Sequence, residues 1–330
     1  MTEWEMIQKF ARGAEAIGDD CAVLEKDATH DWLITTDTLQ EGVHFWRALT
    51  TFEQLGWKAL AVSVSDINAM GGESKQYLLS VGLPSSVKPK DIEGLAKGLA
   101  ALEKESRVTL IGGNTTRTAD GIVITTTVLG TVPKGKAILR RGAGAGDAIY
   151  VTGTFGGASA GLLCLERVRH LEQPLRANRL PFVERQLSPR PPLQVGPWLR
   201  ETGSVTSMID VSDGLLADLT HIAEASKVGY VLEEARVPTQ PGFEEVVREL
   251  KGDSILLKLT GGEDYELLFT VREQDVTRFE RSLQDAQKQF AVSMTRVGTV
   301  VTSDKIRRVN DAAGNERKLS QLGFDHFAGG

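Results

Sequence analysis

The stretch from Ile209 to Asp218, Ile-Asp-Val-Ser-Asp-Gly-Leu-Leu-Ala-Asp, constrains this chain more than any other. Its lead-in, Met208 and Ile209, reads as the end of a buried strand. Leu215, Leu216, Leu219 and Ile222, at helical spacing, read as the helix that follows. Asp210, Ser212 and Asp213 therefore fall at a strand-to-helix junction, with Ser212 expected as the helix N-cap. Carboxylates beside the free N–H groups of a helix start suit a metal-bound phosphate. They also suit a junction in which both acids only cap and solvate, and the stretch alone leaves both readings open.

Recurrence favours the first reading. Gly18-Asp19-Asp20-Cys21-Ala22 follows an expected turn, and Thr35-Thr36-Asp37-Thr38 follows the apolar strand Trp32 to Ile34. Ser65-Asp66 sits near a helix end, and Gly261-Gly262-Glu263-Asp264 precedes the strand Leu267 to Val271. Acids flanked by Gly, Ser and Thr at element ends mark the places where α/β and α+β proteins put ligands. Asp66 in the last turn of its helix is electrostatically unfavourable unless a cation sits there.

Between these points helical and strand patterns alternate. Thr51 is placed to cap a helix with Leu55, Ala59, Val62 and Ile67 on one face, ended by Gly71-Gly72. A strand is expected over Tyr77 to Leu83, a helix over Pro89 to Glu105, a strand over Val108 to Ile111 and a long strand over Ile122 to Val132. Gly112 to Arg117 reads as a glycine-bearing turn, and residues 181 to 197, with five prolines, read as an extended connection. The fold class is α+β in two domains, residues 1–135 and 136–330, since 330 residues exceed one small domain.

Lys and Arg number 38 against 44 Asp and Glu, a net charge of −6. With no basic run, this argues against a nucleic-acid binder, and an acidic protein that binds a polyphosphate needs cations to do so. No stretch is long enough to span a membrane. Met1 to Arg12 patterns as an amphipathic helix rather than a signal peptide. Cys21 and Cys164 lack metal-ligand spacing and read as free thiols, which places the chain in the cytoplasm.

The run Gly142 to Asp147 is not a dinucleotide fingerprint, because a strand follows it rather than precedes it and Asp147 stands where the third glycine belongs. There is no Walker A sequence and no protein-kinase motif set. What remains is an oxygen-rich set suited to Mg²⁺: Asp20, Asp37, Asp66, Asp210 and Asp213, with hydroxyls at Thr35, Thr36, Ser65 and Ser212. Unspaced histidines argue against zinc. His44 stands out only because it follows Asp37 by one short loop. Arg117 and Arg141 are candidates to meet phosphate oxygens.

Taken in order, Gly18-Asp-Asp-Cys-Ala22, Thr35-Thr-Asp-Thr38, Lys58-Ala-Leu-Ala-Val62 with Ser65-Asp66, Gly112-Gly-Asn-Thr-Thr-Arg117, Ile209-Asp-Val-Ser-Asp-Gly214 and Gly261-Gly-Glu-Asp-Tyr-Glu-Leu267 carry a resemblance. The chain resembles the thiamine-monophosphate kinases, in the superfamily of aminoimidazole ribonucleotide synthetase and selenophosphate synthetase. The resemblance runs from about residue 17 to the tail Phe324-Asp-His-Phe327. It implies transfer of the ATP γ-phosphoryl to thiamine monophosphate by direct in-line displacement assisted by several Mg²⁺ ions. It also implies a homodimer whose N-terminal sheets pair into a barrel.

By position, the resemblance makes Asp20, Thr35, Thr36, Asp37, Asp66, Asp210 and Asp213 magnesium ligands. It makes Gly113, Asn114, Arg141 and Ser212 ATP contacts, and His44, Glu263 and Phe324 contacts to thiamine monophosphate. No acid or base is assigned, because an acceptor phosphate is already ionised near neutral pH. Asn114 departs from the aspartate usual in the family, which puts one metal site in question. A phosphate-releasing relative in the superfamily is the first rival, weakened because Met1 to Gly18 holds no cysteine. A nucleotide binder without turnover is the second.

Overall fold

The computed structural model describes residues 3–11, 17–171, 176–319 and 322–324. After helix α1 (Glu3–Ala11), strands β1 (Ala22–Glu25), β2 (His30–Gln40), β3 (Glu73–Leu83), β4 (Thr109–Arg117) and β5 (Val123–Pro133) form one sheet in the order β1-β2-β5-β3-β4. All pairs are antiparallel except β3 with β4, which the crossover helix α3 (Pro89–Ser106) makes parallel. Helix α2 (Phe52–Ala69) leads into β3.

Thr51 caps α2 as the sequence implies, its hydroxyl accepting from Gln54 N while the Gln54 side chain accepts from Thr51 N. Along β2 the side chains alternate. Leu33 and Leu39 enter the core against α2, and Trp32, Thr36 and Thr38 face the other way. Among the described residues no further layer covers that outward face, and β4 is exposed along its whole length.

The second sheet follows the order β11-β8-β10-β6-β9-β7, from β6 (Ala148–Thr152), β7 (Val205–Asp210), β8 (Gly229–Glu233), β9 (Leu267–Val271), β10 (Met294–Val301) and β11 (Arg307–Asn310). Both of its faces are covered. Ile149 and Val151 pack with Leu215, Leu216 and Leu219 of α7 (Leu215–Ser226). Ala148 and Tyr150 pack on the other side with Phe279 and Leu283 of α10 (Val276–Phe290). A strand buried on both faces reads as a continuous apolar run, and Leu-Leu-Phe-Thr-Val in β9 is one. The remaining helices are α4 (Gly157–Leu171), α5 (Leu180–Leu187), α6 (Val195–Thr202), α8 (Phe243–Glu249) and α9 (Ser254–Thr260).

Two expectations fail. Gly112 to Arg117 is strand, not turn, because β4 pairs with β3 as far as Leu83 with Arg117. Residues 181–197 hold α5 and α6 rather than an extended connection. Pro181 and Pro197 fall in the first turns of these helices, where proline costs no hydrogen bond. Short α9 and edge strand β11 also went unread.

Helix α2 joins the two halves. Trp57 Nε1 donates to Pro189 O at 2.7 Å, and Lys58 Nζ to Gln186 O at 3.0 Å. Asn68 Oδ1 accepts from Gly196 N at 3.0 Å. No helix among the described residues is long and apolar enough to cross a membrane.

Candidate active site

The end of α2 meets the end of β7. Ser65 Oγ donates to Asp210 Oδ2 at 2.6 Å, across 145 positions of sequence. Thr35 Oγ1 donates to Asp66 Oδ2, and Ser63 Oγ donates to Asp37 Oδ2 at 2.8 Å. Carboxylate oxygens of Asp20, Asp66 and Asp210 lie within 4.8 Å of one another. The cluster therefore draws on the turn before β1, on β2, on α2 and on β7.

Its charge is unbalanced. Arg140 Nη2 and Nε meet Asp20 Oδ1 at 2.6 and 3.2 Å, but Asp20 Oδ2 is buried without a hydrogen-bond partner. Burial, then the Asp37, Asp210 and Asp20 carboxylates, hold the Asp66 carboxyl well above its usual range. Burial and Asp20 push Asp210 up to about 8. Burial also raises Asp20, against the pull of Arg140, and raises Asp37. A hard cation resolves this directly. It takes oxygen donors, rewards the ionised form and accepts the orphaned lone pair of Asp20, so the residues present fit Mg²⁺.

A second trio extends the site. Asp213, Asp218 and His221 also bring ligand atoms within 4.8 Å. Ser212 is not the N-cap of α7. Gly214 is, at φ 123°, and Asp218 Oδ2 accepts from Asp213 N at 3.2 Å and Gly214 N at 3.1 Å. A Cβ on Gly214 would stand 2.7 Å from the carbonyl of Thr260, so the site needs glycine there.

The Gly261–Glu266 loop lies alongside. Glu263 N donates to Ser212 O and Tyr265 N to Val211 O, each at 2.8 Å, with Glu263 and Tyr265 at φ 67° and 50°. Phe324 N donates to Asp213 O at 3.0 Å, with the ring more than half exposed. Glu263 Oε1 pairs with the buried Lys58 at 2.7 Å, and its Oε2 accepts from Gln186 Nε2. Gln186 and His44 line one narrow cleft with Val43, Phe45, Leu49 and Leu187, where His44 Nδ1 accepts from Gln40 N at 3.0 Å.

The fold thus gathers Asp20, Thr35, Asp37, Asp66 and Asp210, sets Ser212, Asp213 and Phe324 beside them, and links His44 to Glu263 through Gln186. Four residues stand apart. The Thr36 hydroxyl is on the other face of β2, bonded to Thr127 Oγ1 at 3.0 Å. Asp37, Thr126, Leu79 and Gly113 form one rung across the sheet, so Gly113 and Asn114 lie about 14 Å from Asp37 at the usual strand spacing. Arg141 is exposed, and its neighbour Arg140 holds the cluster instead. Sequence reasoning passed over Arg140, Ser63, Asp218 and Gln186. Only Asp218, inside the Asp210 motif, carried a local signal.

Residues 18–132 match the family described as AIR synthase related protein, N-terminal domain, and residues 144–309 match its C-terminal domain. The thiamine-monophosphate kinase of Bacillus subtilis (strain 168) is 34% identical over 312 residues, which is 94% of this chain and 93% of that one. The chain belongs to the thiamine-monophosphate kinase family. The family member from Salmonella typhimurium is 36% identical over 313 residues, 94% of this chain and 91% of its own. Among solved structures, AaThiL complexed with AMPPCP and TMP superposes with a TM-score of 0.85 at 29% identity, over 99% of this chain and 97% of that one. The family member from Stenotrophomonas maltophilia K279a superposes at 0.76 with 31% identity, over 96% and 98%.

Proposed function

We propose that the chain phosphorylates thiamine monophosphate to thiamine diphosphate, moving the γ-phosphoryl of ATP by direct in-line transfer. The observation that carries this reading is the convergence of Asp20, Asp66 and Asp210 from both halves of the chain, with one carboxylate oxygen left without a partner. That is a built place for cations in a family whose relatives are named for this reaction. It is supported by the solved relative that carries AMPPCP together with TMP.

Asp20, Thr35, Thr36, Asp37, Asp66, Asp210 and Asp213 would hold several Mg²⁺ ions, Thr36 through its backbone, and bound Mg²⁺ supplies neutralisation of two mutually repelling phosphate groups. The remaining work falls to the chain. Ser212, at the start of α7, and Arg141 are the residues of this half that meet ATP phosphate oxygens. Gly113 and Asn114 on β4 are too far from Asp37 to act on the same phosphates, and their role is to hold the nucleotide elsewhere along its length. His44, Glu263 and Phe324 hold the acceptor. Its phosphate is ionised near neutral pH, so the chain orients it and removes no proton.

The same reading makes the chain a cytoplasmic homodimer. The outward face of the first sheet, which carries Thr36, Thr38 and the 40% exposed Leu78, is the surface on which a second copy would close the barrel.

Phosphorus NMR of the protein with ATP and Mg²⁺, with and without thiamine monophosphate, tests the reaction. A new diphosphate signal matched by ADP, without free phosphate, is expected. ADP with free phosphate would instead indicate a phosphate-releasing relative, and intact ATP a nucleotide binder without turnover.

A further inference from the structure

Two of the buried side-chain atoms without a partner lie in the site. One, Asp20 Oδ2, belongs to the cation cluster, and the other is Gln186 Oε1. Gln186 is 3% exposed, sits in α5 and lines the cleft shared with His44. Its amide orientation is not arbitrary. The nitrogen faces Glu263 Oε2, a carboxylate oxygen that can only accept, which leaves the oxygen as the other end.

Both oxygens of Glu263 are already engaged, one by Lys58 and one by Gln186. The Lys58 ammonium, 2% exposed, also holds the Gln186 carbonyl at 3.0 Å, so residue 186 is fixed through backbone and side chain together. A buried acceptor left unpaired, on a residue that shares its cleft with Val43, Phe45, Leu49 and Leu187, is costly unless a ligand supplies the donor. Thiamine has one such donor on its rings, the exocyclic amino group of the aminopyrimidine.

We infer that Gln186 is a specificity-determining residue whose amide oxygen accepts a hydrogen bond from the exocyclic amino group of the substrate's aminopyrimidine, with Lys58 positioning it. The inference rests on the function proposed above. Replacing the amino group by an oxo group puts a second acceptor against Gln186 Oε1 and leaves both unpaired. A site built on a polar contact rejects such an analogue much more strongly than an apolar pocket rejects a change of size.

The test compares kcat/KM for thiamine monophosphate and for its 4-oxo analogue, oxythiamine monophosphate, in the wild type and in Gln186→Met, which keeps volume and loses the amide. The wild type is expected to favour the amino substrate by about 100-fold or more. In Gln186→Met that ratio is expected to fall towards one, through a raised KM for the amino substrate and little change for the analogue. General damage to the fold lowers both rates together and cancels in the ratio. Gln186→Asn, whose amide falls one methylene short, is the second variant should methionine prevent folding, and the same collapse is expected.

A preference unchanged in the variants, or an equal loss on both substrates, overturns the inference alone. A wild type that does not phosphorylate thiamine monophosphate overturns the proposed function and this inference with it.

Discussion

Two groups of buried carboxylates lie in this molecule, and they are satisfied in opposite ways. Around Arg185 every carboxylate oxygen has a donor. Asp264 Oδ2 accepts from Gly156 N at 2.7 Å and its Oδ1 from Ala158 N at 3.2 Å. Glu266 Oε1 accepts from Arg185 Nη2 and its Oε2 from Thr152 Oγ1, both at 2.7 Å. Around Asp66 the hydroxyls of Thr35, Ser63 and Ser65 donate to Asp66, Asp37 and Asp210, but the charged neighbours of Asp66 are other carboxylates, Arg140 pairs with Asp20, and Asp20 Oδ2 has no partner.

The pKa directions register the contrast. Burial lifts Asp264 to about 6 while Arg185 and the two N–H groups pull it back, whereas the carboxylates around Asp66 push the same way as burial. Carboxylates that each have a donor stabilise one fold, although Arg185 Nε itself lacks a hydrogen-bond partner. Carboxylates left facing one another are a site.

The sharpest way to break this contrast is Asp210→Asn. Turnover is expected to fall by about 10³-fold, the scale of removing a group that organises charge at the transferring phosphate. The melting temperature of the metal-free protein is expected to hold below about pH 8, where Asp210 is mostly protonated, and to rise above it, where a repulsive buried charge is gone. A melt lowered as far as that of an Arg185 variant would make the two groups alike.

Next is Arg185→Met, which leaves Glu266 Oε1 and Asp264 beside an apolar side chain. A loss of about 3–5 kcal/mol in denaturant titration is expected, since one partner of a buried pair is removed and the other stays charged. A loss under about 1 kcal/mol would show that the backbone N–H groups suffice without the arginine.

A smaller effect separates the groups by pH. Asp20, Asp66 and Asp210 all have folded-state pKa values above the ordinary carboxylate value, so the folded form binds more protons than the unfolded chain. Stability of the metal-free protein is therefore expected to be greatest below about 4 from this source and to decline as pH rises to about 8, where Asp210 titrates. Mg²⁺ at 100 times its dissociation constant is expected to restore about 2.7 kcal/mol at pH 8, read by thermal melts with and without chelator. In Asp210→Asn the decline flattens and the metal effect shrinks.

The smallest effect belongs to Asn114→Asp. Asn114 is exposed on β4, about 14 Å from Asp37, so a carboxylate there is expected to leave the melt unchanged and to move the half-saturating Mg²⁺ in the assay by less than about twofold, as for a screened charge out of reach of the Asp66 cluster; a larger fall would place a cation at β4.

Much of the site was legible because its signals are local. Acids at element ends, the cap at Thr51 and the apolar runs of the second sheet each follow from a few adjacent residues. Thr36 shows where local reading stops short. The period of a strand already says that residues 35 and 37 share a face that 36 does not, but which face meets α2 depends on the packing of Leu33 and Leu39. The proline-rich segment 181–197 misled for a related reason. Proline excludes the helix interior but not its first turn, and only the packed α5 and α6 reveal which position each proline takes.

By itself, then, the sequence determined an α+β chain with carboxylates waiting at the ends of its elements, and motif order sufficient to place it in its family. Tertiary structure decided which of those carboxylates meet, that Arg140 rather than Arg141 partners them, and that Gln186 stands between Glu263 and the cleft. The reason is range. Helical and strand periods are set by the backbone over a few residues, whereas Ser65 finds Asp210 and Lys58 finds Gln186 only after α2 has packed against the second half of the chain.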